Sequence, residues 1–304
     1  MTRTLELPEW QVAWVRDTVA ARCGLYLGGP HESYLNNQVA ARLRELRIGF
    51  GDYARLVQES PAGGGELQTL IERLCIHETS FLRDLAHFHA LARFIFPQLV
   101  RETLRDGRRR VRLVSAGCST GQEAYSMAMI AEESRPLLEE LEVELVGLDV
   151  SGEAIDKAAR GLYPARDVAM LESWRRERYF RPAGQHYEVS PELRRAVRWL
   201  RCNLADALPI TQVDVIFCRN VLIYFQGTQR DGVVRNLVAA LRRGGFFVAG
   251  FADSLQAYRD ILEPIRTNGT VIFRRIVRPA ANFGLGAELP GSNRLAASGT
   301  RSVR

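Results

Sequence analysis

The fold is decided by residues 110–129, RVRLVSAGCSTGQEAYSMAM. An apolar run at 110–116 predicts a strand, and a helical pattern over 122–134 follows the turn Gly117–Gly121. Glycines in such a turn let a ligand approach the backbone and the N–H groups at the start of the helix. The turn is neither a G-x-G-x-x-G motif nor a lysine-containing phosphate loop, so an NTPase is not indicated. A tight turn without a ligand is the alternative.

Short apolar runs alternate with helical segments on the carboxyl side of this stretch, which is typical of an α/β fold with a mostly parallel sheet. The predicted strands are 110–116, 143–150, 213–219, 246–251 and 270–276. The predicted helices are 122–134, 152–160, 228–243 and about 255–263. Because the last two strands are close in sequence, we expect the final strand to be antiparallel, as in S-adenosylmethionine-dependent methyltransferases with a Rossmann-like sheet.

The second predicted strand ends at Asp149. An acid at this point of an α/β sheet is placed to accept hydrogen bonds from the two hydroxyls of a ribose. A carboxylate that caps the next helix, just before Ser151, explains the residue equally well. Together with the glycine turn and the alternating elements, Asp149 favours an adenosine-containing cofactor.

The remaining segments give a domain plan. Residues 1–84 show helical spacing of apolar residues and predict a small all-α domain, followed by a linker helix at 85–107. Residues 108–277 form the α/β domain, with a β-subdomain insert at about 174–202 where the alternation stops. Residues 278–304 are small, polar and turn-forming, and we expect a disordered tail.

Composition excludes several classes of protein. The 304 residues carry a net charge of +6, and all but one of the 41 basic residues are arginine. The five cysteines are widely spaced, which favours reduced thiols over a disulfide framework or a zinc site. The sequence shows no signal peptide and no apolar run long enough to span a membrane. We therefore expect a cytoplasmic protein that does not insert into the membrane. No basic stretch is interleaved with aromatic residues, so we do not expect nucleic acid as a partner.

Four segments resemble, in order and spacing, the bacterial chemotaxis receptor methyltransferases of the CheR type. They are RLCIHETSFLRD (73–84), LVSAGCSTGQEAYSMAM (113–129), GLDVSGEAIDKAARGLY (147–163) and DVIFCRNVLIYF (214–225). The resemblance extends over about residues 8–277. It implies S-adenosylmethionine (SAM) as cofactor, S-adenosylhomocysteine (SAH) as product, and methylation of glutamate side chains of methyl-accepting chemoreceptors to γ-methyl esters.

The resemblance also assigns residues. Those expected at the cofactor are His77, Thr79, Arg83, Ala116, Gly117, Glu123, Asp149, Asn203, Leu204, Arg219 and Asn220. Arg83 would pair with the methionine carboxylate, Glu123 would help to hold the methionine part, and Asp149 would bind the ribose. Arg83, Arg219 and Tyr224 are the expected catalytic residues, with Arg219 and Tyr224 positioning the reactants. The chain departs from the family pattern at Gln122 and Ala124, and at 251–253 where a histidine-containing turn is usual.

The expected partner is the helical bundle of a chemoreceptor's cytoplasmic part, and we expect a monomer. Arg42, Arg44 and Arg47 resemble the family's basic helix that docks on this acidic surface, and a solvated helix face is the alternative. Two further hypotheses remain open for the whole chain. One is a catalytically weak adaptor that binds SAM or SAH, and the other is a methyltransferase of a different substrate.

Overall fold

The amino-terminal part of the chain is a bundle of four helices. The computed structural model describes residues 6–61, 64–267 and 269–277. The first four helices are α1 (Glu9–Cys23), α2 (Glu32–Leu46), α3 (Phe50–Gln58) and α4 (Gly65–Leu74). Their apolar faces meet in one core, which includes Val19, Leu35, Tyr53 and Leu70. α1 ends at Gly24, whose φ of 78° is a left-handed conformation that glycine adopts without steric cost.

The segment between the bundle and the sheet is helical throughout, with a π-helical turn at Leu91–Ile95. It consists of α5 (Leu85–Ala90), that turn and α6 (Phe96–Arg105). Phe88, Phe96 and Leu99 are fully buried and belong to the hydrophobic core on one face of the sheet. The segment expected as a linker helix therefore packs as a layer of the α/β body.

The centre of the molecule is a seven-stranded sheet with the order β6-β2-β1-β7-β8-β10-β9. Its strands are β1 (Arg110–Ala116), β2 (Glu142–Asp149), β6 (Val197–Arg201), β7 (Val213–Cys218), β8 (Leu241–Ala249), β9 (Leu262–Thr267) and β10 (Thr270–Arg275). The first five strands in this order pair in parallel. β10 pairs antiparallel with both β8 and β9, which confirms the predicted mostly parallel sheet with an antiparallel last strand.

Helices cover both faces of the sheet. The helices after β1 are α7 (Gln122–Glu133), α8 (Arg135–Leu138), α9 (Gly152–Arg160), α10 (Ala165–Val168), α11 (Ser173–Tyr179), α12 (Pro191–Arg195) and α13 (Gly227–Ala240). Successive residues of β1 enter different cores, Leu113 with Phe217 on one face and Val114 with Ile216 on the other. A strand buried on both faces is a continuous apolar run, which explains why its sequence signal was strong.

Two sequence expectations at the carboxyl end of the chain were wrong. The helix expected over 228–243 ends at Ala240, because β8 begins at Leu241. The helix expected at about 255–263 is only a short turn at Gln256–Tyr258, and β9 follows it. Pro264 lies within β9, where a helix would lose a hydrogen bond, whereas an edge strand tolerates proline.

A small antiparallel sheet packs against the α/β body through Tyr163, Phe180 and Val189. It has the order β3-β5-β4, with β3 (Leu162–Pro164), β4 (Phe180–Ala183) and β5 (His186–Val189). Antiparallel strands were expected in 174–202, but β3 precedes that range. The last part of the range, β6, instead joins the large sheet parallel to β2. There the Trp199 ring packs over Gly147, where an added Cβ would lie 2.5 Å from the ring.

Among the described residues, no helix combines the length and the apolar character needed to cross a bilayer. The tail expected at 278–304 lies outside the described residues.

Candidate active site

A cavity with an empty volume of about 910 Å³ lies at the carboxyl ends of β1, β2 and β7 and reaches the end of α1. The structure brings nearly all the predicted site residues to its wall. These are His77, Thr79, Arg83, Gly117, Glu123, Asp149, Asn203, Leu204, Arg219, Asn220 and Tyr224. Ala116 is the exception, because it is fully buried at the end of β1, one residue before the wall.

The glycine turn is shaped by close packing. Gly117 has a φ of 74°, and an added Cβ would lie 2.4 Å from Cγ2 of Val221. The backbone N–H groups of Gly117 and Cys118 both donate to the Leu148 carbonyl, at 2.8 and 2.9 Å. The turn is therefore fixed against the end of β2, and glycine is required at its first position for both conformation and space.

Asp149 is buried and is held by backbone donors. The N–H of Ser119 donates to its Oδ2 at 2.7 Å, and the N–H of Ser151 donates to its Oδ1 at 2.9 Å. Burial raises the pKa of Asp149, whereas these two hydrogen bonds oppose the increase. Each carboxylate oxygen keeps a further lone pair, so Asp149 can still accept from a ligand's hydroxyl groups. His77 lies on this side, with Nδ1 3.4 Å from Oγ of Ser119.

Arg219 is the most highly connected side chain at the site, and its side chain is only 2% exposed. Its Nε donates to Nδ1 of His87 at 3.1 Å, and its Nη1 donates to Oε2 of Glu123 at 3.2 Å. Its Nη2 donates to Oδ2 of Asp84 at 2.6 Å and to the carbonyl oxygen of Arg83. The guanidinium thus joins the end of β7 to the start of α5 and to α7. These contacts fix the guanidinium in one orientation beside the cavity.

Burial and the charge of Arg219 both shift the pKa of two groups at the site, Glu123 and His87. Glu123 also accepts from the Ser115 hydroxyl at 2.8 Å, and burial raises its pKa while Arg219 lowers it. Burial and the Arg219 charge lower the pKa of His87 to about 4. The imidazole is therefore neutral, with its proton on Nε2, because Nδ1 must accept from Arg219.

Arg83 and Tyr224 make fewer side-chain hydrogen bonds at the cavity than Arg219 does. Nη1 of Arg83 donates to the Glu78 carbonyl at 3.1 Å, and no described carboxylate forms an ion pair with the Arg83 guanidinium. Tyr224 is half-buried, and burial raises the pKa of its phenol, so it stays protonated near neutral pH. The Tyr26 N–H donates to the Tyr224 carbonyl at 2.8 Å, and the His31 ring lies 5.8 Å from the Tyr224 ring.

The far end of the cavity is closed by the helical bundle. The Asn203 amide donates to the Arg22 carbonyl and to the Asp206 carboxylate, both at 3.1 Å. Leu204 is buried, and Leu25 lies on the same cavity wall. The carboxyl end of α1 is thereby fixed to the loop after β6.

Sequence reasoning missed two residues that support the site. His87 was not selected because nothing in its local sequence indicates the distant Arg219. Asp253 was noted only as a departure from a family pattern, but its Oδ2 accepts from the N–H groups of Asn220 at 2.8 Å and Gly250 at 3.2 Å. Asn220 has a φ of 57°, so Asp253 stabilises an uncommon backbone conformation beside the cavity.

The model of the CheR methyltransferase SAM-binding domain matches residues 77–271, which include the glycine turn, Asp149 and the Arg219 network. This chain belongs to the CheR methyltransferase family. It is a SAM-dependent methyltransferase, and the resemblance stated from its motifs is confirmed.

Curated relatives agree with this membership. Chemotaxis protein methyltransferase 1 of Pseudomonas aeruginosa is 30% identical over 261 residues, which cover 83% of this chain and 93% of that protein. Chemotaxis protein methyltransferase 2 of Vibrio cholerae is 29% identical over 254 residues, with 81% and 86% covered. The probable biofilm formation methyltransferase WspC of P. aeruginosa is 32% identical over 259 residues, which cover 84% of this chain and 60% of that protein.

The CheR cavity has the donor set that SAM requires. The buried Asp149 carboxylate has free lone pairs and suits the ribose hydroxyls, and the Arg83 guanidinium, which pairs with no described carboxylate, suits a carboxylate. Leu25, Leu204 and Val150 offer apolar surface for a base. The residues present therefore fit the cofactor.

The three arginines expected at the receptor surface have different environments. Arg42 forms a two-pronged ion pair with buried Glu66, at 2.8 and 2.7 Å, and also donates to Glu45 at 3.1 Å. Arg44 and Arg47 are exposed. Nε of Arg44 donates to the Ala40 carbonyl at 3.2 Å, and Arg47 ends α2 with a left-handed φ of 57°. The structure therefore leaves Arg44 and Arg47 available at the surface and commits Arg42 to the bundle.

Proposed function

We propose that this CheR-family enzyme transfers the SAM methyl group to glutamate side chains of methyl-accepting chemoreceptors, forming γ-methyl esters. Family membership and the names of its relatives support a chemoreceptor substrate. The observation that carries the choice of a carboxylate acceptor is the state of the bases at the cavity.

Two of the basic groups beside Arg219, Glu123 and the His87 imidazole, are already engaged by its guanidinium. Glu123 is bound by Arg219 and Ser115, and Nδ1 of His87 accepts from Arg219. Asp149 and His77 lie together at the ribose side. An amine or alcohol acceptor would need deprotonation, whereas a glutamate with a pKa of about 4.3 is already a nucleophile near neutral pH. The site therefore suits a carboxylate.

The chain's residues supply position and not proton transfer. When bound, SAM supplies an electrophilic methyl group on a sulfonium. We assign Arg83 to its amino-acid carboxylate, Asp149 to the ribose hydroxyls and Tyr224 to the methyl end of the cavity. Tyr224 remains a protonated phenol and can donate a hydrogen bond to an incoming carboxylate. Alignment of the two reactants and exclusion of water account for the acceleration.

Further cofactor contacts follow from the lining of the cavity. Asn203 and Leu204 would lie beside the adenine, with His77 and Thr79 along the ribose and methionine parts. The backbone at Ala116 and Gly117 would approach the cofactor, with Asn220 opposite. Glu123 acts through Arg219, to which it is bound.

The proposed partner is the acidic helical bundle of the receptor's cytoplasmic part, which places the enzyme in the cytoplasm, where it would act as a monomer. Arg44 and Arg47 would contact the bundle. The pathway need not be flagellar chemotaxis, because one relative is named for biofilm formation.

The test of the proposed reaction is transfer of radiolabelled methyl from SAM to a purified cytoplasmic fragment of a methyl-accepting receptor from the source bacterium. We expect label that is released as methanol in mild base, since esters hydrolyse and N-methyl groups do not. A fragment with its acceptor glutamates changed to alanine is the control. Label that resists base, or that the control fragment also acquires, would contradict a glutamyl ester.

The docking role of the exposed arginines has its own test. The double variant Arg44→Ala/Arg47→Ala should raise the KM for the receptor fragment severalfold and leave SAH affinity unchanged, because it removes two rim charges. The matched control is Arg101→Ala/Arg198→Ala, two exposed arginines on α6 and β6. An unchanged KM, or an equal increase in the control, would remove this assignment.

A further inference from the structure

A second groove adjoins the active-site cavity and is not used by the cofactor. It has an empty volume of about 1780 Å³ and is lined by the ends of β8, β9 and β10 and by the loop after β8. The groove and the cavity share a wall. His87 lines the groove and accepts from Arg219 of the cavity, and Asp253 lines the groove and accepts from Asn220 of the cavity.

The strand order places the groove next to the end of the cavity where the methyl acceptor would bind. Asp149 ends β2, Gly117 follows β1 and Arg219 follows β7, so the cofactor residues lie in front of three neighbouring strands. The next strands in the same direction are β8 and β10, which line the groove. A protein segment in the groove would therefore lie beside the methionine end of the cavity and away from the adenine end.

The groove combines exposed apolar side chains with polar ones such as Asp253 and Gln256, and two arginines lie at its rim. The Phe251 ring is 66% exposed and rests on the buried His87 ring, with 4.8 Å between their centroids. Val271 is 38% exposed on the same wall. Arg259 and Arg266 are exposed, and neither lies within ion-pair distance of any described acid. Phe251 and Val271 together give the groove an exposed apolar surface that a protein segment can cover.

We propose that this groove docks the acidic amphipathic helix that carries the acceptor glutamate, with Phe251 against its apolar face and Arg259 and Arg266 against its carboxylates. The inference rests on the proposed function and names a second contact for the same substrate. Charge selects this occupant, because an acidic helix complements Arg259 and Arg266, neither of which forms an ion pair with a described acid. Continuity with the cavity places the docked helix where its glutamate can reach the transferred methyl group.

The kinetic test is the charge reversal Arg259→Glu/Arg266→Glu, assayed with the purified receptor fragment. We expect the KM for the fragment to rise about tenfold, because like charges facing each other across an interface oppose association. SAH affinity and melting temperature should match those of the wild type. The control is Arg101→Glu/Arg198→Glu, which makes the same change in net charge on α6 and at the β6 edge of the sheet.

A binding test independent of turnover replaces Phe251 with the photo-crosslinker p-benzoylphenylalanine, with the same replacement at Arg101 as control. We expect light-dependent cross-links to the fragment from position 251 only. An unchanged KM in the charge-reversed variant, or no cross-link from position 251, would overturn the proposal. Failure of the proposed function looks different, because the wild-type enzyme would then give no base-labile label, whatever the cross-linking shows.

Discussion

Replacing Arg219 with methionine separates a positioning role from a direct chemical role. The substitution removes a guanidinium that donates to His87, Glu123 and Asp84 and to the Arg83 carbonyl. Methionine has similar length and no charge, so the packing volume is largely kept. What is lost is the charge between two acids and the link from β7 to the start of α5.

The size of the effect follows from the exposure of the two acids. Breaking a buried ion pair costs about 3–5 kcal/mol because the remaining charge is left uncompensated. The Asp84 side chain is 30% exposed and regains some hydration, whereas the Glu123 side chain is 11% exposed and keeps the Ser115 hydroxyl. Glu123 can also take up a proton, since burial raises its pKa. We therefore expect a loss near the lower limit, about 3 kcal/mol.

Urea unfolding of the ligand-free enzyme measures this loss directly, with Arg219→Lys as the conservative control. Lysine keeps the charge and cannot make the forked contacts, so we expect it to recover about half of the lost stability. A double-mutant cycle with Asp84→Asn should give a coupling energy of about 1 kcal/mol or more, since the two groups are in contact.

The rate data complete the test. If Arg219 positions other groups, the methionine variant should lose stability and SAH affinity together with its activity. An unfolding free energy within about 0.5 kcal/mol of the wild type, together with intact SAH binding and a collapse of kcat, would refute the positioning role. That result would instead support a direct action on the reacting atoms.

Two further predictions concern groups at the same wall. The pKa of His87 is about 4 in the folded state against an ordinary 6.5, so the unfolded chain takes up this proton at a higher pH. The free energy of unfolding should therefore fall by up to about 3 kcal/mol as the pH drops from about 6.5 to 4. His87→Asn keeps an acceptor for Arg219 and should lose this part of the dependence, so parallel unfolding profiles for variant and wild type would contradict the assignment. Gly117→Ala should cost about 2–4 kcal/mol from left-handed strain and overlap with Val221. Adding Val221→Ala should recover part of that loss in thermal unfolding, and no recovery would show that the overlap is unimportant.

The sheet was predictable from sequence where strands are buried on both faces. β1 was found with its observed bounds and α9 likewise, because an apolar run and a clear helix start mark them. β6 and β9 were missed because they are edge strands, where polar residues and Pro264 weaken the pattern. Their place in the sheet depends on pairing with distant strands, which no local window contains.

The sequence predicted which residues gather at the cavity wall, but not the contacts that they make there. Motif positions identified Arg219, but its hydrogen-bond partners come from segments about 100 or more residues away. The sequence therefore could not show that its guanidinium is engaged in hydrogen bonds. The same reason explains Arg42, whose partner Glu66 lies on another helix. Long-range ion pairs decide which arginine is free to act, and only the folded chain reveals them.

The helical bundle supports the cavity wall as well as being a candidate receptor contact. The Arg22 carbonyl accepts from Asn203 at the end proposed for the adenine, and the Tyr26 N–H donates to the Tyr224 carbonyl at the end proposed for the methyl group. Both contacts come from the segment around the end of α1, so a shift of the bundle would move both ends of the cavity together. The proposed receptor contact through α2 would thus be mechanically connected to the shape of the cavity, because α1 and α2 share one packed core.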